Sequence, residues 1–126
     1  MIYTEVNNLK QYIISHGKVN CEIGDPDIGP DQYPFIKILI TEPIELYRHS
    51  SKLEALDFPV TLKLIVEKGQ EIKALEVLER LIKKLNQFNN EKGNMIVGTI
   101  EPEYVEETKT FEMSIPYQLK LITQDT

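Results

Sequence analysis

The stretch FPVTLKLIVEKGQEIKALEVLERLIKKL, residues 58–85, changes its hydrophobic period partway along. Up to Val66 apolar residues occupy alternate positions, which is the repeat of a strand with one buried face. After Gly69 the repeat becomes helical. A strand apolar on one face is thus joined to a helix apolar on one face, so each is expected to cover the other. The predicted helix stripe consists of Leu75, Leu78, Ile82 and Leu85, with Ile72, Leu81 and Phe88 beside them.

A second amphipathic helix and another strand precede this unit. The helix is predicted from about residue 4 to residue 16, because apolar residues recur along one side and Gly17 follows as a stop signal. The next segment, CEIGDPDIGPDQYP at residues 21–34, is rich in Gly and Pro, so we predict no regular structure there. FIKILI, residues 35–40, then alternates as a strand with one apolar face.

Pairing the strands at 35–40 and 58–66 predicts a long hairpin that reverses near His49, Ser50 and Ser51. An antiparallel register keeps both apolar faces on the same side of the sheet. Its predicted pairs are Ile36 with Leu64, Ile38 with Leu62, and Ile40 with Val60.

The outer part of this hairpin, residues 42–57, forms what we call the arm, and it is expected to be kinked or bulged near Pro43. An apolar arm that projects beyond the helices is expected to pack on another subunit. The alternative is that its apolar side chains fold back onto their own core. The expected contact residues are Ile44, Leu46, Tyr47, Leu53 and Leu56.

The last third of the chain predicts a second hairpin, with strands at 95–100 and 111–122 on either side of the acidic turn EPEYVEETK. The inward face of the strand at 95–100 stays open, because both of its faces are apolar. The order helix, strand, strand, helix, strand, strand predicts one α+β domain covering residues 1–126. We expect a small antiparallel sheet of about four strands, with one long projecting hairpin and two helices packed on one face.

Composition excludes several functional classes. The 126 residues are 41% hydrophobic and 27% charged, which is typical of a globular domain. The net charge of −6 disfavours specific nucleic-acid binding, which needs clustered positive charge. No apolar run approaches the roughly 20 residues of a membrane span, and the N-terminus lacks the pattern of a signal peptide. We therefore expect synthesis in the cytoplasm and no membrane partner.

The sequence offers little for catalysis. The single cysteine, Cys21, excludes an internal disulfide, and neither His16 nor His49 is accompanied by the Gly-rich turn of a Cys-His site. The loop GDPDIGPDQ lacks the ligand pattern of a calcium loop. Phosphate-cradle, zincin and nucleophile-elbow motifs are absent from the chain. We expect no enzymatic activity, no cofactor and no metal.

The order and pattern of elements over residues 4–122 resemble those of the tail terminator and tail completion proteins of long-tailed bacteriophages. The likeness begins with a helix and a turn-rich loop, and it includes the long arm. The segments that carry it are YPFIKILI, FPVTLKLIVEKGQEIKALEVLERLIKKL and FEMSIPYQLKLI.

The resemblance implies a non-enzymatic subunit of a hexameric ring in the virion, at the head-proximal end of the tail. Such a ring caps the tail tube, stops further addition of tube protein and joins the tail to a head-completion or connector protein. DNA passes through its channel without specific binding, and a subunit charge of −6 suits repulsion of that DNA. The acidic residues expected at the lumen or rim are Asp25, Asp27, Asp31, Glu103, Glu106 and Glu107.

Two alternatives stay open at the level of sequence. One is a different virion component on the same plan, such as a head-tail connector or baseplate protein. The other is a ferredoxin-like binding or regulatory module that forms a compact dimer. The apolar arm favours an assembly subunit over the dimeric module, and the oligomeric size in solution separates the two.

Overall fold

A computed structural model of the chain, which describes residues 2–48 and 53–124, is an α+β fold with two helices on one face of a mixed seven-stranded sheet. The fold class therefore agrees with the prediction. The helices are α1 (Ile2–Gly17) and α2 (Glu71–Gln87). The strands are β1 (Asn20–Ile23), β2 (Phe35–Leu39), β3 (Glu45–Arg48), β4 (Leu53–Glu67), β5 (Met95–Ile96), β6 (Glu101–Val105) and β7 (Thr110–Gln124).

The centre of the sheet is the antiparallel pair of β4 and β7, each 15 residues long. The strand order is β1-β2-β4-β7-β5, with β3 added on β4 and β6 added on β7. Because side chains alternate across a strand, one residue in two along this pair points at the helices and forms the core. These core residues are Phe58, Val60, Leu62, Leu64 and Val66 of β4, and Phe111, Met113, Ile115, Tyr117, Leu119 and Leu121 of β7.

The predicted register between β2 and β4 is confirmed for two of its three pairs. Ile36 lies opposite Leu64 and Ile38 lies opposite Leu62, and all four side chains are fully buried. The third pair is wrong, because β2 ends at Leu39 and the side chain of Ile40 is exposed. The predicted reversal at residues 49–51 lies outside the described residues.

Seven strands replace the four that the sequence predicts, and one of them makes the sheet mixed. β1 pairs in parallel with β2 inside a segment that we predicted to be irregular, and it buries Cys21. A four-residue strand carries too short a pattern to be recognised, yet it satisfies backbone groups along β2 that would otherwise lack a partner. The prediction of a purely antiparallel sheet is therefore wrong.

The second hairpin also differs from its prediction. The strand predicted at 95–100 is two residues long, and the first half of the predicted acidic turn is the strand β6. Gly98, with a φ of +83°, lies between β5 and β6. Ile96 pairs with Tyr117 and packs with Ile100 against the core, whereas Met95 is exposed. The sequence left the inward face of this segment open, and in the structure Ile96 and Ile100 are the inward residues.

The buried face of α2 is rotated from the predicted stripe. Ala74, Val77, Leu81 and Leu85 are fully buried, as Leu81 and Leu85 were expected to be. Three members of the predicted stripe are instead exposed. The physical reason lies in α1, whose Gly17 has no side chain and leaves space for Leu81, so that the two helices approach closely on that side of α2. The exposed members are Ile72, Leu75 and Ile82.

Two tyrosine hydroxyls bind the end of α2. Tyr12 of α1 donates to the carbonyl oxygen of Lys84 at 2.9 Å, and Tyr117 of β7 donates to that of Leu85 at 2.7 Å. The last carbonyls of a helix have few partners within the helix. The Lys84 carbonyl also accepts from the backbone N–H of Phe88 at 3.0 Å, whereas Tyr117 supplies a buried donor for the Leu85 carbonyl. The two tyrosine hydrogen bonds connect α2 to both α1 and the sheet.

Neither helix is long and apolar enough to cross a membrane, as far as the described residues extend.

We expect Tyr117→Phe to lower the free energy of unfolding by about 1–2 kcal/mol at neutral pH, because it leaves the Leu85 carbonyl without its donor. Burial raises the pKa of Tyr117, so the folded chain keeps this proton after the unfolded chain loses it near pH 10. Stability of the native chain should therefore fall as the pH rises above about 10, and the variant should lose less over that range. Urea unfolding at pH 7 and pH 10.5 measures both effects; equal losses in the two proteins would contradict this role of Tyr117.

Candidate subunit interface

The arm is a three-stranded extension of the sheet. β3 pairs with the first residues of β4, and β7 continues along β4 as far as Leu53, which lies opposite Gln124. The predicted hairpin thus gains a third strand that the sequence analysis did not place there. This third strand supports the arm along its length.

A bulge separates the arm from the rest of the sheet. Leu39 lies opposite Thr61, and Glu45 lies opposite Asp57. Between these two pairs the chain from β2 to β3 advances six residues, whereas β4 advances only four. The extra residues surround Pro43, where the sequence predicted a kink or bulge. The hydroxyls of Thr41 and Thr61 lie 2.9 Å apart and hydrogen-bond across the gap.

The side of the arm that continues the helix-covered face carries a row of three leucines. Leu46 lies opposite Leu56, and Leu56 lies opposite Leu121. Leu121 is 1% exposed, Leu56 is half-buried against the core, and Leu46 is 62% exposed. Ile44, just before β3, is 46% exposed. Burial therefore decreases with distance from β7.

The arm residues predicted from sequence fall into three groups. Ile44 and Leu46 are exposed, as a contact surface requires. Leu56 packs partly on the parent core, so for this residue the fold-back alternative holds in part. The side chains of Tyr47 and Leu53 lie outside the described part of the structure. Among the described residues, the exposed large apolar side chains in the arm and just before it are Ile40, Ile44 and Leu46, which we call the arm patch.

An ion pair lies on the opposite side of the sheet, at the base of the arm. Lys120 Nζ lies 3.4 Å from Asp57 Oδ1 across the β4–β7 pair. A shallow depression of about 270 Å³ lies beside this ion pair. Its lining contains no nucleophile or histidine, and it consists of Glu42, Pro43, Glu45, Asp57, Pro59 and Gln118.

The six acidic residues predicted for a lumen or rim are all exposed, but they lie at two opposite edges of the sheet. Asp25, Asp27 and Asp31 follow β1 at one edge. Glu103 lies in β6, and Glu106 and Glu107 lie in the turn between β6 and β7, at the other edge. The sequence could not show this separation, because it depends on the strand order.

Two of these acids are neutralised locally. Lys37 donates a hydrogen bond to Asp25 and lowers the pKa of that carboxyl group. Lys68 donates to Glu106 at 2.9 Å, and this bond raises the pKa of Lys68. Both pairs are at the surface and contribute little to stability.

The candidate catalytic groups are not arranged as a site. Cys21 is buried, and burial raises the pKa of its thiol to about 12, so it is a poor nucleophile at neutral pH. His16 is exposed and contacts Tyr12, with ring centroids 4.2 Å apart and the ring planes tilted by 47°. Within residues 2–48 and 53–124, no three His, Cys, Asp or Glu side chains lie together in a way that could hold a metal ion.

Sequence reasoning missed one exposed surface, the side of α2 that carries Ile72, Leu75 and Ile82. We call these three residues the α2 flank. The sequence signal for this surface is the spacing of Ala74, Val77, Leu81 and Leu85, which forms a competing apolar stripe that begins with a small residue.

A scan of the chain against protein-family models finds no match, and a search of curated proteins finds none either.

Leu46→Asp should change the free energy of unfolding of the monomeric chain by less than about 0.5 kcal/mol, because this side chain is exposed. Leu56→Asp should cost about 2 kcal/mol or more, since it places a carboxylate partly inside the apolar core. Urea unfolding of dilute, monomeric protein measures both values. Equal destabilisation by the two substitutions would show that Leu46 also folds back onto its own core.

Proposed function

We propose that this chain is a tail terminator or tail completion protein of a long-tailed bacteriophage. It forms a hexameric ring that caps the tail tube and joins it to the head-completion protein. The observation that carries the proposal is the arm patch. Ile44 and Leu46 hold exposed apolar surface on an extension that three strands keep in place. Such surface on a projecting element favours burial against another copy.

The residues of the edge strand β6 favour subunit contacts made by side chains over contacts made by pairing of strands. Pro102 cannot donate a ladder hydrogen bond, and Glu101 and Glu103 bring charge to the same edge. These residues oppose indiscriminate pairing of β6 with another strand. Association through apolar patches, which fixes one geometry, therefore suits a closed ring better than edge pairing at β6.

The charges fit the passage of DNA through the ring. Glu103 and Glu107 are exposed at the β6–β7 hairpin, and six copies of a chain with a net charge of −6 repel a duplex. Asp27 and Asp31 add charge at the opposite edge as rim residues. Asp25 and Glu106 contribute less, because each is paired with a lysine. A subunit with this role acts in the virion, at the head-proximal end of the tail, and performs no catalysis.

We expect negative-stain images of the purified chain to show rings of six subunits with a central hole wide enough for a DNA duplex. Leu46→Asp should abolish these rings and leave a folded monomer, because it places a charge in the apolar contact. Met95→Asp is the matched control, since Met95 is also exposed and apolar but lies on β5, outside the arm.

Size-exclusion chromatography with light scattering measures the same change in solution. Rings that persist in Leu46→Asp would refute the arm contact, and a wild-type dimer without a hole would favour the ferredoxin-like module. A wild-type monomer at high concentration would contradict a preformed ring.

A further inference from the structure

A groove of about 440 Å³ lies beside β1, and its lining comes from α1, from β1 and from the loop that joins β1 to β2. Apolar side chains line it from both the helix and the loop. Ile14 belongs to α1, Pro26 and Ile28 belong to the loop, and Phe35 begins β2. The first three residues of β1 also line the groove, so the edge of the sheet is open to it.

The backbone of Cys21 faces this free edge. Along a strand, successive residues direct their N–H and C=O groups to opposite edges. The Gly24 N–H donates to the Ile38 carbonyl of β2 at 2.9 Å, so Glu22, two residues earlier, also faces β2. Cys21 and Ile23 therefore face away from β2. The Ile23 N–H has this direction, because it donates to Glu22 Oε1 at 3.2 Å.

Side chains occupy the free edge on either side of Cys21. At one end Glu22 Oε1 binds both the next N–H of the chain and Lys10 Nζ, the latter at 2.9 Å. At the other end Asn20 Nδ2 donates to the Gln32 carbonyl at 2.9 Å. Among the residues that the structure describes, no hydrogen bond reaches the N–H or C=O of Cys21 from its free side. Cys21 is 6% exposed, and buried backbone groups need partners.

An extended polypeptide supplies both of the missing partners. In an antiparallel pair two opposite residues exchange both hydrogen bonds, so one residue of an added strand satisfies Cys21 completely. The occupied positions on either side leave space for about three residues, roughly 10 Å of strand. The middle side chain lies on the side of Cys21, which belongs to the core, so an apolar residue fits there. Asp27 lines the groove and is exposed, which favours a basic neighbour.

The position of the groove indicates a partner other than a second copy. The groove lies at the sheet edge that carries Asp27 and Asp31, the residues assigned above to the rim of the ring. The arm patch, which joins copies in that ring, belongs to another part of the sheet. The edge strand β6 of a second copy would also bring Glu101 and Glu103 towards Asp27, and like charges oppose each other.

We propose that this groove binds a short extended segment of a different protein, one that stacks on the ring, and that the segment adds to β1 as an antiparallel strand paired with Cys21. The segment carries an apolar residue opposite Cys21 and a basic residue near Asp27. This inference rests on the proposed function, and it identifies where a neighbour in the virion binds.

A synthetic peptide tests the strand addition. The probe is Lys-Thr-Val-Thr-Lys with acetylated and amidated ends, and it is titrated into dilute, isotopically labelled chain. We expect chemical-shift changes at residues 20–28 and slower hydrogen exchange of the Cys21 amide. The same peptide with an N-methylated valine cannot donate to the Cys21 carbonyl. It should bind more weakly by about tenfold or more, because that buried acceptor then lacks a partner.

A matched pair of variants locates the binding. Ile28→Asp places a charge in the wall of the groove and should weaken binding of the probe by about tenfold or more. Ile72→Asp, an equal change at an exposed position on α2, should leave binding unchanged. Unaltered chemical shifts away from the substituted residue show that each variant is folded.

Three results would overturn the inference. The native chain does not bind the probe, the N-methylated peptide binds equally well, or Ile28→Asp binds as the native chain does. Protection of the Cys21 amide when the native chain assembles by itself would show that a second copy fills the groove, which also contradicts the proposed partner. Binding is measured on dilute chain, so it does not depend on assembly. A native chain that forms no ring would instead refute the proposed function, and the two failures are distinguishable.

Discussion

The antiparallel ladder between β4 and β7 is the constraint on which the rest of the structure depends. Its 15 residue pairs run from the turn before α2 to the end of the arm. In one half, the apolar side of the ladder is covered by α1 and α2. In the other half, the same alternation of side chains continues past the helices, and the row of Leu121, Leu56 and Leu46 emerges from the core. The arm patch is thus a direct consequence of a ladder longer than the helix layer that covers it.

The helix layer is held at a fixed place on this ladder. Tyr12 and Tyr117 bind the last carbonyls of α2, and Gly17 lets α1 approach Leu81. With α2 fixed there, its remaining apolar side faces away from α1 and is uncovered. The helices and strands carry more apolar surface than they can cover among themselves. The covered part is the core, and the excess is the two exposed patches. In the proposed ring, a second copy covers this excess apolar surface.

The sequence predicted the elements whose pattern is long. The alternation of residues 58–66 and 111–122 and the spacing in α1 identified the core strands and the first helix, and apolar matching across the hairpin gave the correct register for Ile36 and Ile38. Prediction from sequence failed where the structure of a segment depends on another element that is distant in the chain. β1 exists because β2 offers it a ladder, and the face of α2 is chosen by α1. Exposure of Leu46 was predictable from the length of the hairpin, whereas exposure of Leu75 depends on tertiary packing.

The central claim is that the apolar surface left over by this fold is covered by further copies of the same chain. Native mass spectrometry of the wild-type protein over a range of concentrations tests it most directly. The account predicts a dominant species of six times the 14.6 kDa subunit mass, with no stable dimer or trimer between it and the monomer. A protein that stays at 14.6 kDa at the highest concentration would contradict the account.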